Sequence, residues 1–201
     1  MTTAARPFVI GVTGNIACGK STVLRALAAL GAETIDADAV YHELIAPGHP
    51  LWHELVERFG DRIVAPDGTI DRRALGALVF ADPARLAELD AVTHPAVVAA
   101  IRARIAASEA GVLAIDAVKL VESGLSADCD QVWLVECDPE RQITRLMARN
   151  GMTRADAARR VAAQPPLAAK RTLADLLIDN NGTLAQTREQ VERAWQAIRR
   201  T

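Results

Sequence analysis

The sequence lacks several features that mark particular classes of protein. Only 3% of its 201 residues are aromatic, and no run reaches the roughly 18 apolar residues that a membrane span requires. Its 23 basic and 25 acidic residues give a formal net charge of -2, without a basic tail that would bind nucleic acid by charge alone. The short polar segment 1–7 does not resemble a secretory signal. We therefore expect a soluble protein that binds neither nucleic acid nor membranes.

Cysteine is also scarce. Cys18, Cys129 and Cys137 are odd in number and lack metal-ligand spacing, which argues against both a disulfide framework and a zinc site. A reducing, cytoplasmic location fits this composition best. Half of the residues are hydrophobic and the mass is 21.5 kDa, so the chain can form one or two compact domains with a sizeable core.

Short β-branched runs alternate with longer segments of helical period, which predicts an α/β fold with a five-stranded parallel sheet flanked by helices. The first run, Phe8–Thr13, is continuously apolar, as strands buried on both faces are. The other four predicted strands are Glu33–Asp36, Val112–Ile115, Gln131–Val135 and Leu176–Ile178.

About seventy-five residues separate the second and third strands, too many for a single crossover helix. We expect a helical substrate-binding insertion over 39–109, with helices at Leu51–Phe59, Leu75–Phe80 and Pro95–Ala107. A second helical excursion, 139–163, ends before Pro165 and Pro166, which stop any helix that reaches them. Its arginines make it a candidate lid. The nucleotide-binding core would then comprise 1–38, 110–138 and 164–201.

The strongest motif has the pattern GxxxxGKS and lies between the first strand and a helix. In such a P-loop, backbone N–H groups and the positive end of the helix bind phosphate oxygens. Lys20 would bridge the β- and γ-phosphates of ATP, and the Ser21 hydroxyl would bind Mg²⁺. The nucleotide-binding residues are predicted to be Gly14, Asn15, Ile16, Ala17, Cys18, Gly19, Lys20, Ser21 and Thr22.

Three aspartates lie at or just after the ends of predicted strands, at the sheet edge where ligands bind in parallel α/β folds. Asp36 and Asp38 lie two residues apart, so in an extended segment both carboxylates would face one cleft, and one could accept a hydroxyl proton. Alternatively, Asp38 caps a helix that starts at Ala39. Asp116 resembles a Walker B aspartate that would hold Mg²⁺, or it is an ordinary strand-end residue.

Arg141, Arg145 and Arg149 have the spacing of one stripe on a helix, where their like charges repel. A lid that brings these arginines over a transferring phosphoryl group would relieve the repulsion and stabilise the transition state. A solvated helix face, partly neutralised by Asp138 and Glu140, explains the same pattern.

Taken together, the motifs resemble the dephospho-coenzyme A kinase family, nearly from end to end. Besides the P-loop, the resemblance is carried by Ile35–Asp38, Asp71-Arg72, Val79-Phe80, His94-Pro95, Asp130, Arg145-Leu146, Arg149, Gln164, Lys170, Ala174-Asp175, Asn180 and Gly182. It implies a P-loop core with a helical CoA-side domain and a lid. It further implies that Asp38 is the general base, that Arg145 and Arg149 lie in the lid, and that Asn180 and its neighbours lie near the adenine of ATP. The predicted catalytic residues are Asp38, Lys20, Arg145 and Arg149.

The chain departs from the family pattern in two places. The family usually has Gly, Gly and Ser where this P-loop has Asn15, Ala17 and Cys18, and we hypothesise that Cys18, at a helix N-terminus beside Lys20, is a reactive thiolate. After Asp116, the family's usual Pro-Leu-Leu-Phe-Glu is replaced by 118–122, with the sequence VKLVE, so the acceptor pocket can differ in shape.

These observations predict an enzyme that uses Mg-ATP to phosphorylate the ribose 3′-hydroxyl of dephospho-CoA. A nucleoside or nucleoside-monophosphate kinase would use the same parts on another acceptor. A nucleotide-dependent switch protein, or a catalytically silent relative, would keep the P-loop without acceptor-dependent turnover. The sequence leaves the oligomeric state open.

Overall fold

The computed structural model describes residues 6–198 and contains a five-stranded sheet. The strands are β1 (Phe8–Thr13), β2 (Glu33–Asp36), β3 (Val112–Asp116), β4 (Gln131–Glu136) and β5 (Leu176–Asp179), in the order β2-β3-β1-β4-β5. The pairs β1/β3, β1/β4 and β4/β5 are parallel, with Ile10 opposite Ala114 and Gln131, and Trp133 opposite Leu176. The predicted fold class, a parallel five-stranded α/β sheet flanked by helices, is confirmed.

The described part of the chain also contains nine α-helices and two short 3₁₀ turns. The helices are α1 (Lys20–Ala29), α2 (Ala37–Leu44), α3 (Pro50–Phe59), α4 (Arg72–Phe80), α5 (Pro83–Ala107), α6 (Pro139–Asn150), α7 (Arg154–Ala162), α8 (Ala168–Leu173) and α9 (Leu184–Ile198). Within residues 6–198, none of these helices has the length and apolar character needed to cross a membrane.

The chain divides into two compact units. The first comprises the described residues up to Ile35 and from Ser108 onward, and the second comprises Asp36–Ala107. The second unit therefore starts a few residues earlier than the insertion expected from the sequence. The segment 139–163 belongs to the first unit, and its function as a lid stays a prediction.

The core of the first unit lies between the sheet and the packed pair α1 and α9. Ile10, Val12, Trp133 and Val135 are fully buried there. Alternate residues of β1 and β4 supply these side chains, because successive strand residues point to opposite faces of a sheet. The continuous apolar runs that predicted β1 and β4 thus reflect burial on both faces.

The aspartates that precede β4 and β5 each bind the backbone of the neighbouring strand. Asp130, just before β4, accepts a 2.7 Å hydrogen bond from the backbone N–H of Val9 in β1. Asp175, just before β5, does the same for Val132 in β4, also at 2.7 Å. Both aspartates carried the family resemblance, and in the structure they connect neighbouring strands.

The second unit has its own core, centred on Leu55, Ile63 and Val79. One prediction here was wrong: Pro95 does not start a helix but lies inside the 25-residue α5. Proline removes the N–H that would bond to the carbonyl of residue 91. Buried side chains on both sides of Pro95, including Val92 and Ile101, hold the helix together through this break.

The segment 139–163, expected to be helical, contains two helices. It forms α6 and α7, because Gly151 ends α6 in a left-handed conformation and Thr153 caps α7 by accepting a bond from the N–H of Asp156. The two helices pack on each other through Ile143, Leu146 and Ala157.

Candidate active site

The loop between β1 and α1 ends on a helix that has no side-chain cap. Gly19 occupies the N-cap position with φ +103° and offers no side-chain oxygen to the first turn of α1. By contrast, α2, α3, α4 and α7 are each capped by a side chain. The first-turn N–H groups of α1 are therefore not used by a capping side chain, and such groups bind anions well.

Lys20, the first residue of α1, points back toward the loop. Its Nζ lies 3.5 Å from the carbonyl oxygen of Gly14 and 3.9 Å from Oδ1 of Asp116 at the end of β3. Its side chain is largely buried, with 12% exposure, and that of Asp116 is 24% exposed. The structure thus brings together a cation and a carboxylate that are 96 residues apart in the printed sequence.

Arg145 contacts the outer side of the same loop. Its guanidinium donates to the carbonyl oxygens of Ala17 at 3.1 Å and Cys18 at 2.9 Å, and to that of Asn180 at 3.2 Å. Arg145 therefore connects α6 to the P-loop and to the segment after β5. Arg149, one turn further along α6, is exposed and donates to the side chain of its neighbour Asn150.

Asn180 is buried directly behind the loop, with 2% exposure. Its side-chain amide donates to the carbonyl of Cys18 at 2.7 Å, and its backbone N–H donates to the carbonyl of Glu136 at 2.8 Å. Its side chain is thus committed to the protein in this structure. The expectation that this residue and its neighbours lie near adenine stays a prediction.

The tip of the loop contacts the segment that follows α7. Gln164 Oε1 accepts from the N–H of Ile16 at 3.3 Å, and the Asn15 amide donates to the carbonyl of Pro165 at 3.4 Å. Ile16 and Ala17 also pack on the core shared by α6 and α7. Ala17, with φ +57°, is the one non-glycine residue with positive φ in residues 6–198, at a position where the family usually has glycine.

Asp36 and Asp38 do not form the extended pair that the sequence predicted. The strand ends at Asp36, and α2 begins at Ala37, so the two residues are not on one side of an extended segment. The alternative that Asp38 caps a helix is also wrong. Asp36 is the cap, because its Oδ1 accepts from the N–H groups of Asp38 at 2.9 Å and Ala39 at 3.2 Å.

Asp38 lies in the first turn of α2, in the second unit, and is exposed. Its carboxylate is not required for the cap, since Asp36 supplies that oxygen. An exposed carboxylate in this position can accept a proton from a bound hydroxyl group.

The hypothesis of a reactive Cys18 is contradicted. Its side chain is 1% exposed, and burial raises the pKa of the thiol above its usual value, although the charges of Lys20 and Arg145 act in the opposite direction. All three cysteines are free thiols. Burial also raises the pKa of Cys137 to about 11 and that of Cys129 to about 12, so none of these thiols is activated.

Mg²⁺ was predicted at Ser21 and Asp116. Among the described residues, no group of three or more His, Cys, Asp and Glu side chains could hold a metal ion by itself. The donors nevertheless suit this ion, because Mg²⁺ prefers oxygen ligands and commonly binds through one or two protein groups plus substrate phosphates. The Ser21 hydroxyl and the Asp116 carboxylate are oxygen donors of that kind.

Sequence reasoning gave no structural role to two buried polar residues near the site. Lys170 on α8 is 4% exposed and donates to the carbonyl of Val118 at 2.6 Å. Thr187 on α9 is fully buried. A signal for Thr187 is present in the sequence: it shares one helix stripe with Val191 and Trp195, and a polar residue in an apolar stripe needs a partner.

A parallel sheet in this strand order, with a GKS loop between β1 and α1, defines the class of P-loop kinases. The family model for dephospho-CoA kinase matches residues 8–186. A dephospho-CoA kinase of Symbiobacterium thermophilum is 46% identical over 192 residues, covering 94% of this chain and 80% of the relative. The chain belongs to the dephospho-CoA kinase family, as the sequence motifs indicated.

Solved structures share this fold. The crystal structure of TT1252 from Thermus thermophilus is 36% identical, with a TM-score of 0.80 over 96% of this chain and 97% of that one. The dephospho-CoA kinase from Campylobacter jejuni has the same fold, with a TM-score of 0.62 at 23% identity over 96% of this chain and 98% of that one.

Proposed function

We propose that the chain transfers the γ-phosphoryl group of ATP to the ribose 3′-hydroxyl of dephospho-CoA, giving CoA and ADP. The observation that carries the proposal is the uncapped N-terminus of α1 behind a GKS loop, with Lys20 folded toward Gly14 and Asp116. Membership of the dephospho-CoA kinase family supplies the acceptor. This reaction is the last step of coenzyme A biosynthesis.

In this proposal the P-loop, 14–22, holds the phosphates of ATP. The backbone N–H groups around Gly19 and the ammonium group of Lys20 bind the β- and γ-phosphate oxygens. Ser21 and Asp116 would hold Mg²⁺, which neutralises charge on the phosphates when bound. The side chains of Lys20 and Asp116, 3.9 Å apart, lie at the same end of the sheet.

Asp38 is the proposed general base. Its carboxylate takes the proton of the 3′-hydroxyl as that oxygen bonds to the γ-phosphorus, and the bond from the γ-phosphorus to the β–γ bridging oxygen breaks. ADP leaves with that oxygen. An exposed carboxylate outside the cap fits this role better than Asp36, whose Oδ1 already accepts two backbone bonds.

The two lid arginines have different proposed roles. Arg149 is exposed and can reach negative charge on the transferred phosphoryl group. Arg145 donates to loop carbonyls, so it holds α6 against the P-loop. We place the reaction in the cytoplasm, where three free thiols remain reduced.

The test measures ADP release from Mg-ATP with dephospho-CoA, adenosine or AMP as the acceptor. Asp38→Asn is the base variant. Asp61→Asn is its matched control, because Asp61 is another exposed aspartate in the first turn of a short helix of the same unit. We expect release to depend on dephospho-CoA, to fall by about 10²-fold or more in Asp38→Asn, and to stay near wild type in Asp61→Asn.

Turnover with AMP or adenosine but not with dephospho-CoA would replace this proposal with a nucleotide or nucleoside kinase. Nucleotide binding without acceptor-dependent release would indicate a switch protein or a silent relative. Equal losses in both aspartate variants would contradict the assignment of Asp38 as the base.

A further inference from the structure

A short chain of buried polar groups connects α9 to the back of the P-loop. The hydroxyl of Thr187 donates to Oδ1 of Asn180 at 2.8 Å, and Nδ2 of Asn180 donates to the carbonyl oxygen of Cys18 at 2.7 Å. Thr187 is 0% exposed and Asn180 is 2% exposed. Neither bond competes with bulk water, so each constrains the loop more strongly than an exposed bond would.

The Cys18 carbonyl, which can only accept, decides which way the Asn180 amide faces, and the Thr187 hydroxyl supports that orientation by donating to the amide oxygen. With its oxygen toward the hydroxyl, the amide presents its NH₂ group to the Cys18 carbonyl, and the reverse orientation would place two oxygens against each other. The backbone of Asn180 is anchored to Glu136 at the end of β4. A capping box of Thr183 and Gln186 at the start of α9 fixes the turn that carries Thr187.

This contact orients a peptide group of the P-loop. In a planar trans peptide the C=O and N–H bonds point in opposite directions. Because Asn180 holds the Cys18 carbonyl on the outside of the loop, the N–H of Gly19 in the same peptide is directed to the other side. Arg145 reinforces the arrangement by donating to the same carbonyl at 2.9 Å.

Gly19 leaves the space that the amide needs. A Cβ atom on residue 19 would lie 1.9 Å from Nδ2 of Asn180. The approach of Asn180 to the loop and the absence of a side chain at position 19 therefore depend on each other.

We propose that Asn180 and Thr187 are positioning residues for the nucleotide, with Thr187 acting through Asn180 on the Cys18–Gly19 peptide. The proposal rests on the proposed function in taking the phosphates of ATP or ADP as the ligand of this loop. It assigns Asn180 a place behind the P-loop, and it gives α9 a role in nucleotide affinity that does not require contact with the nucleotide.

The test compares Thr187→Val with Thr93→Val. Valine keeps the shape of threonine and removes the hydroxyl. Thr93 is the matched control, because it is a buried helical threonine in the other unit whose hydroxyl donates to the carbonyl of Leu89 at 2.8 Å. The readouts are the Kd for Mg-ADP by calorimetry and the separate KM values for ATP and dephospho-CoA.

We expect Thr187→Val to weaken ADP binding and raise the KM for ATP by up to about tenfold. The bond is present before ADP binds, so its loss acts by allowing the loop to leave the binding conformation, and one buried hydrogen bond sets the upper limit. The KM for dephospho-CoA should be unchanged, Thr187→Ser should restore ADP binding, and Thr93→Val should match wild type. All variants are measured at a temperature where circular dichroism shows them folded. If Thr187→Val does not fold, Thr187→Ala, which cannot overpack the site, serves in its place.

ADP affinity in the folded Thr187 variant equal to that of Thr93→Val would overturn the proposal. So would equal increases in both KM values, which would indicate general loosening of the fold. The ADP titration does not depend on turnover. A wild-type protein that binds ADP without phosphorylating dephospho-CoA would refute the proposed function while the Thr187 series still decided the positioning role.

Discussion

Replacing Lys170 with methionine should destabilise the first unit, although the residue lies outside the P-loop. The ammonium group donates to the carbonyl of Val118 at 2.6 Å and lies 3.3 Å from Oε1 of Glu122. The Lys170 side chain is only 5% exposed, whereas that of Glu122 is 40% exposed. Methionine fills a similar volume but cannot donate, so the variant removes the two polar contacts and keeps most of the packing.

The expected loss follows from the burial of the two partners. A hydrogen bond from a charged group contributes about 1.5–3 kcal/mol. Glu122 can rehydrate when its partner is removed, and Val118 keeps a 3.2 Å bond from the Thr13 hydroxyl, so the larger penalty of a stranded buried charge does not arise. For a chain of this size, the loss corresponds to a fall in Tm of roughly 3–12 °C by scanning calorimetry.

The adjacent residue provides a control. Arg171 makes a bidentate pair with Glu136 at 2.6 and 2.7 Å, which is better geometry than that of Lys170, but its side chain is 58% exposed. Exposed ion pairs contribute little because water screens them. Arg171→Met should therefore lower Tm much less than Lys170→Met. If Arg171→Met lowers Tm as much as Lys170→Met or more, burial of a charged group does not matter more for stability than the number of hydrogen bonds it makes.

Two further predictions concern the thiols and the start of α2. Because burial raises the pKa of Cys137 to about 11 and that of Cys129 to about 12, and also raises that of Cys18, iodoacetamide at pH 8 should modify the folded protein slowly. Mass spectrometry should show that modification becomes faster as the pH rises, because more thiolate forms, and that all three thiols react in guanidinium. Rapid labelling of Cys18 in the folded protein would contradict the prediction of slow modification. Asp36→Ala removes the helix cap and should lower the free energy of unfolding, measured in urea, by about 1 kcal/mol, whereas Asp38→Ala should not lower it. Equal losses in the two variants would show that Asp36 is not the cap.

The parts of the site that the sequence predicted depend on neighbours along the chain. The GKS loop follows an apolar strand and precedes a helix, and each of these features is a local pattern that the structure reproduces. The long insertion between β2 and β3 was visible because a parallel crossover of that length cannot be a single helix. The N-terminal boundary of α2 was missed, since either aspartate in Asp36-Ala37-Asp38 could cap a helix by local rules.

Other features depend on which elements become neighbours. The sequence around Pro95 predicts the start of a helix, but buried side chains before and after Pro95 keep α5 continuous. Cys18 reads as an activated thiol beside Lys20, but the surrounding core desolvates it and raises its pKa. In both cases packing contributed by residues distant in the sequence outweighs the local preference.

The sequence by itself therefore determined the class of fold, the phosphate-binding loop and the family of the protein, because strand patterns and the P-loop are set by residues close together in the chain. Only the tertiary structure decided what holds that loop. The order β1-β4-β5 places the ends of three adjacent strands together, and so brings Asn180 to the carbonyl of Cys18, 162 residues away in sequence. Such contacts arise from the order of strands in the sheet, which no local pattern specifies.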